Sequence, residues 1–107
     1  MKEINNIEEY KEIINRDKPV LLDFYAEWCA PCQTLLPILE KLTIKYKSDF
    51  IIAKVNVDKN RELSQKFSIR NIPALFFIQN GEVKENITGL QTEKELDEKI
   101  NQYKATI

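Results

Sequence analysis

The sequence predicts an α/β fold: a mixed central β-sheet with helices on both faces. Three runs rich in apolar, β-branched and aromatic residues, at 20–25, 50–57 and 74–78, are separated by segments with helical spacing. Strands separated by helices pair in parallel, because a parallel neighbour needs a long crossover. The third run leads into Asn80-Gly81 and a further strand-like stretch at 83–88. Asn-Gly between two such runs is a strong hairpin signal, since a type I′ turn needs positive φ at both central residues. The hairpin adds an antiparallel edge.

The elements follow in order. Asn6-Ile7-Glu8-Glu9 reads as a capping box, with Asn6 as the cap and Glu9 reaching back. Ile7, Tyr10 and Ile14 share one face of a short helix ending near Arg16, and Pro19 punctuates it. The run 20–25 is broken only by Asp23, which suits a strand covered on both faces. Over 30–46, Leu35, Leu36, Leu39, Leu42 and Tyr46 recur at helical spacing, with Pro37 inside the pattern. A proline there removes a backbone hydrogen bond, so a kink is expected. A short helix is expected over 60–67. Thr92-Glu93-Lys94-Glu95 is a second capping box, opening a helix with Leu96, Ile100 and Tyr103 on one face. Beginning with a helix, the predicted order alternates to the third strand, adds the hairpin strand and ends on a helix.

Bulk properties narrow the function. The chain has 107 residues, which suits one domain over 1–107 and is too short for two. Sixteen basic residues nearly balance 17 acidic ones, for a net charge of −1, so there is no basic face for nucleic acid. The chain has no histidine. That removes Ser-His-Asp and Cys-His catalysis and imidazole metal ligands together. No apolar run approaches the roughly 20 residues that span a bilayer, and the N-terminus lacks a signal-peptide core. A cytoplasmic protein without membrane attachment is the expectation.

Both cysteines lie in Trp28-Cys29-Ala30-Pro31-Cys32, where the first strand run gives way to a helix. A helix N-terminus carries partial positive charge and favours a thiolate, the form that attacks disulfides. Cys29 at the helix start is the candidate nucleophile. Cys32, one turn further in and more buried, is the candidate resolving thiol. Pro31 suits the first turn, where its missing N–H costs little. The alternatives are an inert buried pair or half of a zinc site. A closed zinc site needs four ligands, and two thiols would require a zinc-bridged dimer, so no metal and no cofactor is expected.

Asp23 is the second signal. Burial raises a carboxyl pKa, and such an acid can move a proton at neutral pH. The expectation is that it takes the Cys32 proton, through water, as a mixed disulfide resolves. The competing readings are a solvated strand-end acid or one paired with Lys54. Ile72-Pro73 is the third. Proline belongs at a strand start, and a cis bond would free the Ile72 backbone for a substrate strand, although sequence alone favours trans. Trp28, placed in the turn, is expected on an exposed apolar lip, with a core position as the alternative.

Taken together, these residues resemble the thioredoxin family. The matching stretches are 23–32, Pro37, Lys54-Val55-Asn56-Val57-Asp58, Ile72-Pro73-Ala74, Asn80-Gly81-Glu82 and Thr88-Gly89-Leu90. The resemblance implies the thioredoxin fold and a dithiol carrier that reduces protein disulfides. It implies a monomer whose partners are disulfide-containing target proteins and a thioredoxin reductase. It implies Cys29 as attacking thiol, Cys32 as resolving thiol, Asp23 as proton acceptor and Lys54 as its modulator. It implies a cis bond at Pro73 and a docking surface of Trp28, Ala30, Pro31, Val57, Ile72, Pro73, Gly89 and Leu90. Several residues depart from the family pattern. Ala30 stands where glycine is usual between the cysteines, Asn71 replaces the usual glycine before Ile72, and Gln33 stands where a basic residue is common. Tyr25 replaces a common tryptophan, and Leu90 is larger than usual. Ala30 bears on the reduction potential, for which about 30 mV corresponds to 1.4 kcal/mol. An oxidant or isomerase, and a non-catalytic module binding one partner, are the rival functions.

Overall fold

Five strands make one sheet in the order β1-β3-β2-β4-β5. The computed structural model describes residues 1–105. The strands are β1 (Lys2–Glu3), β2 (Val20–Tyr25), β3 (Ile51–Asn56), β4 (Ala74–Gln79) and β5 (Glu82–Thr88), and the helices are α1 (Ile7–Ile14), α2 (Ala30–Lys45), α3 (Arg61–Lys66) and α4 (Glu93–Ala105). β1, β3 and β2 run parallel, while β4 and β5 pair antiparallel. The mixed sheet expected from the sequence is therefore present.

One element differs from expectation. The chain opens with the two-residue strand β1, not with a helix; it pairs with Ala53 and Lys54 of β3. Two residues, both charged, carry no periodicity that a sequence could reveal. Next to it, Ile4 is fully buried and donates its N–H to the Lys54 carbonyl at 2.9 Å.

The sheet divides the core in two. Val20, Leu22, Phe24, Val55 and Phe76 face α1 and α3, meeting Tyr10, Ile13 and Leu63. Leu21, Ile52, Leu75 and Phe77 face α2 and α4, meeting Leu35, Leu39, Leu42, Leu96 and Ile100. All six residues of β2 are buried, as its apolar run requires when helices cover both faces. α2 continues through Pro37. It is clamped to α4 by Asp97, which accepts from the Lys45 Nζ at 2.8 Å and the Tyr46 hydroxyl at 2.7 Å.

The hairpin forms as expected, with φ of 54° at Asn80 and 77° at Gly81. β5, on the outer edge, is mostly exposed, and its register slips by one residue between Phe77 and Ile78. A bulge and charged side chains of this kind discourage pairing with another chain. Both capping boxes are present. Asn6 Oδ1 accepts from the Glu9 N–H, while Glu9 reaches one residue beyond the cap, to the Asn5 N–H. Thr92 and Glu95 bond each other reciprocally.

Candidate functional site

The cysteines stand where β2 hands over to α2. Cys29 is the N-cap of α2, in extended backbone, and Cys32 lies in the first turn. The two are joined as a disulfide, so this is the oxidised form. The Cys32 N–H donates to Cys29 Sγ at 3.3 Å. A cap normally offers an oxygen to this N–H; here the sulfur takes that place. The helix thus directs a first-turn N–H, which has no partner within the helix, and its positive end at the sulfur where a thiolate would form. α2 has no acidic residue in its first turn to compete for that field. Cys32 is fully buried, and Cys29 retains 5% exposure.

Tyr25, Ala26, Cys29 and Cys32 form a small apolar cluster, against which Val57 and Ile72 pack. Cys29 Sγ is 3.9 Å from the Ile72 carbonyl oxygen. The Ile72–Pro73 bond is cis, as the resemblance implies and against the general preference for trans. Pro73 itself is buried and its carbonyl accepts from the Gly89 N–H at 2.9 Å, which ties the proline loop to the end of β5. Asn71 does not adopt positive φ, so its backbone conformation does not call for the glycine usual in the family.

Trp28 is 72% exposed, so the lip reading holds and the core alternative fails. Its indole Nε1 donates to Asp58 Oδ2 at 2.8 Å, which fixes the ring. Asp58 is in turn set by its own N–H bonding to Asn56 Oδ1 at 2.9 Å. The sequence alone gives Asp58 no role beyond its place in the family resemblance. Its one signal was position, just past the carboxyl end of a strand, where ligands of α/β sheets collect. Ala30, Pro31 and Leu90 are exposed, while Val57, Ile72 and Gly89 are half-buried. The structure thus gathers Val57 and Ile72 around the cysteines, whereas Leu90 extends from the loop after β5. Gln33 donates from Nε2 to the Ala26 carbonyl at 3.2 Å, tying the first turns of α2 back to the loop before it.

Asp23 is fully buried, and neither carboxyl oxygen has a hydrogen-bond partner among the described residues. The solvated alternative is therefore excluded, and so is a direct ion pair with Lys54. Burial pushes its pKa up to about 7, against the smaller opposing pull of the Lys54 charge. The Lys54 ammonium lies instead over the Tyr25 ring, 5.4 Å from its centroid.

A sulfur-capped helix, a second buried thiol one turn on and an adjacent cis-proline loop define a dithiol–disulfide exchange protein. Comparison with known proteins makes this specific. The family model described as Thioredoxin matches residues 2–102. The thioredoxins of Rickettsia bellii and Buchnera aphidicola are each 42% identical over 91 residues. In both cases the match covers 85% of this chain, with 87% and 84% of the relative. Among solved structures, Fasciola hepatica thioredoxin superposes with a TM-score of 0.88 at 30% identity, covering 96% of this chain and 99% of that one. A mutant thioredoxin from Halobacterium salinarum gives 0.89 at 35% identity, covering 96% and 89%. The chain belongs to the thioredoxin family. It is a dithiol/disulfide redox carrier with protein-disulfide oxidoreductase activity, resting on Cys29 and Cys32.

Proposed function

We propose that the 107 residues act as a single-domain, monomeric reductant of protein disulfides in the cytoplasm, recharged by a thioredoxin reductase. Cys29 as thiolate attacks one sulfur of the target disulfide and expels the other as a thiolate. The product is a mixed disulfide. Cys32 loses its proton and attacks Cys29 Sγ, releasing the second target thiolate and closing the Cys29–Cys32 bond. Two electrons pass to the target, and the two target thiolates take up protons. Asp23, as carboxylate, accepts the Cys32 proton, and Lys54 modulates its readiness to do so. Targets dock on Trp28, Ala30, Pro31, Val57, Ile72, Pro73, Gly89 and Leu90, with the Ile72 backbone offered to a target strand.

The observation that carries the order of attack is the Cys32 N–H bonded to Cys29 Sγ, with Cys32 sealed behind it. A carrier that donates electrons must be recharged by a donor and is favoured by a reducing compartment, which supports the reductase and the cytoplasm. Among the described residues no helix is long and apolar enough to cross a membrane. The test is trapping. Cys32→Ser should accumulate a mixed disulfide between Cys29 and a disulfide-bonded protein substrate, and Cys29→Ser should not. Stable adducts through Cys32 in the Cys29→Ser protein, with none in the other, would reverse the assignment.

A further inference from the structure

Asp23 lies on a row of charges that extends to the far edge of the sheet. Glu3 of β1 stands opposite Lys54 of β3, and Lys54 stands opposite Asp23 of β2. Residues in register share a face of the sheet. Lys54 is therefore a cation with one acid on either side. The acids are placed differently. Asp23 is fully buried, with no hydrogen-bond partner among the described residues. Glu3 is half-buried, and its Oε2 accepts from the Tyr25 hydroxyl at 2.8 Å. Tyr25 is two residues beyond Asp23, on the same face, with Lys54 Nζ over its ring. One aromatic side chain thus holds the Glu3 carboxylate at its hydroxyl and the Lys54 ammonium at its face. Burial first, and Glu3 second, push the Tyr25 hydroxyl up to about 12, so it remains a neutral donor across the working range.

We propose that Glu3, acting through Lys54 and held by Tyr25, is a positioning residue that sets how tightly Asp23 keeps its proton. Its kinetic consequence rests on the reading of Asp23 as proton acceptor. A carboxylate beside Lys54, bound to the tyrosine whose ring the ammonium covers, draws that ammonium away from Asp23 and weakens the positive field at its carboxyl. Glu3 and Asp23 are separated by two strand spacings, about 10 Å, so their direct repulsion acts in the same direction and is the part that remains without Lys54. Few other groups compete. β4 places Leu75 opposite Asp23. α2 brings Cys29 and Cys32 to the Tyr25 cluster and has no acid in its first turn; its Glu40 lies 3.7 Å from the Met1 amino group. On α4, Asp97 is held by Lys45 and Tyr46, and Lys99 by Glu85. Glu27, in the loop after β2, acts electrostatically on Tyr25.

The test is the carboxyl titration of Asp23, followed by carbon NMR in the intact oxidised protein, in a Lys54→Met cycle. Glu3→Gln removes the charge while its amide oxygen can still accept from Tyr25. It should weaken proton binding at Asp23 about threefold, the size of a partly screened charge, moving the titration to lower pH. In the Lys54→Met background the same change should have a smaller effect, the direct repulsion alone. An unmoved titration, or an equal shift in both backgrounds, overturns the proposal. The pH profile of mixed-disulfide resolution should move with the titration. A titration that moves while the resolution profile does not supports the role of Glu3 and removes Asp23 from the proton transfer.

Discussion

The N-termini of α2 and α4 solve the same problem in opposite ways. Both present unsatisfied N–H groups and a positive end. At α4 the Thr92 hydroxyl and Glu95 carboxylate bond each other's backbone N–H, and Glu93 and Glu95 supply negative charge in the first turn. At α2 the cap is a sulfur, the first turn has no acid, and the strand leading in carries a buried carboxyl with no hydrogen-bond partner among the described residues. The α4 terminus is saturated and serves stability. The α2 terminus is left electrostatically open, so that the charge it favours is one on the Cys29 sulfur. Sites that break local rules of this kind are where function is found.

Three substitutions test that contrast. The largest expected effect is at Asp23. Its folded pKa of about 7 exceeds the unfolded value near 3.8, so between these limits the folded state keeps a proton that the unfolded state has lost. Stability therefore falls as pH rises through this window, by roughly 4 kcal/mol for about three units at 1.36 kcal/mol each. Asp23→Asn removes that loss. Urea unfolding should show it increasingly more stable than the parent from pH 4 to pH 7, with the gain level above, and its disulfide resolution should be slower. A constant difference across pH would mean that the carboxyl titrates normally.

Thr92→Ala comes next. Loss of a capping side chain costs about 1 kcal/mol, so the urea midpoint should fall while the Cys29–Cys32 potential, set by thiol equilibration, stays unchanged. A changed potential would show that the two termini are not independent. Smallest is Ala30→Glu, which gives α2 the acid that α4 already has. Competition for the dipole is worth about 0.3–1 kcal/mol, so attack on a disulfide at neutral pH should slow about two- to fivefold through a lower thiolate fraction, more at low salt than at high. A rate indifferent to the new charge would place the activation of Cys29 elsewhere than in the helix field.

The chain itself determined its larger elements and the chemistry at their junctions. Long periodic segments bury a face, so 20–25, the leucine spacing of α2 and the Leu96-Ile100 stripe announced their places, and Asn80-Gly81 announced its turn. Cys29 and Cys32 were legible because strand, turn and helix are consecutive in sequence, and Asp23 because an acid interrupts an apolar run. Tertiary structure alone decided what depends on distant pairing. β1 exists only because β3 offers it an edge. Trp28 meets Asp58 across 30 positions, and Tyr25 meets Glu3 across 22. The burial of Asp23 without a partner, and the position of Lys54 over Tyr25 instead of at the carboxylate, also depend on the assembled sheet. Periodicity reports which face a residue occupies. It carries no information about which neighbour the register will bring to that face, and the field at a buried charge is the sum over those neighbours.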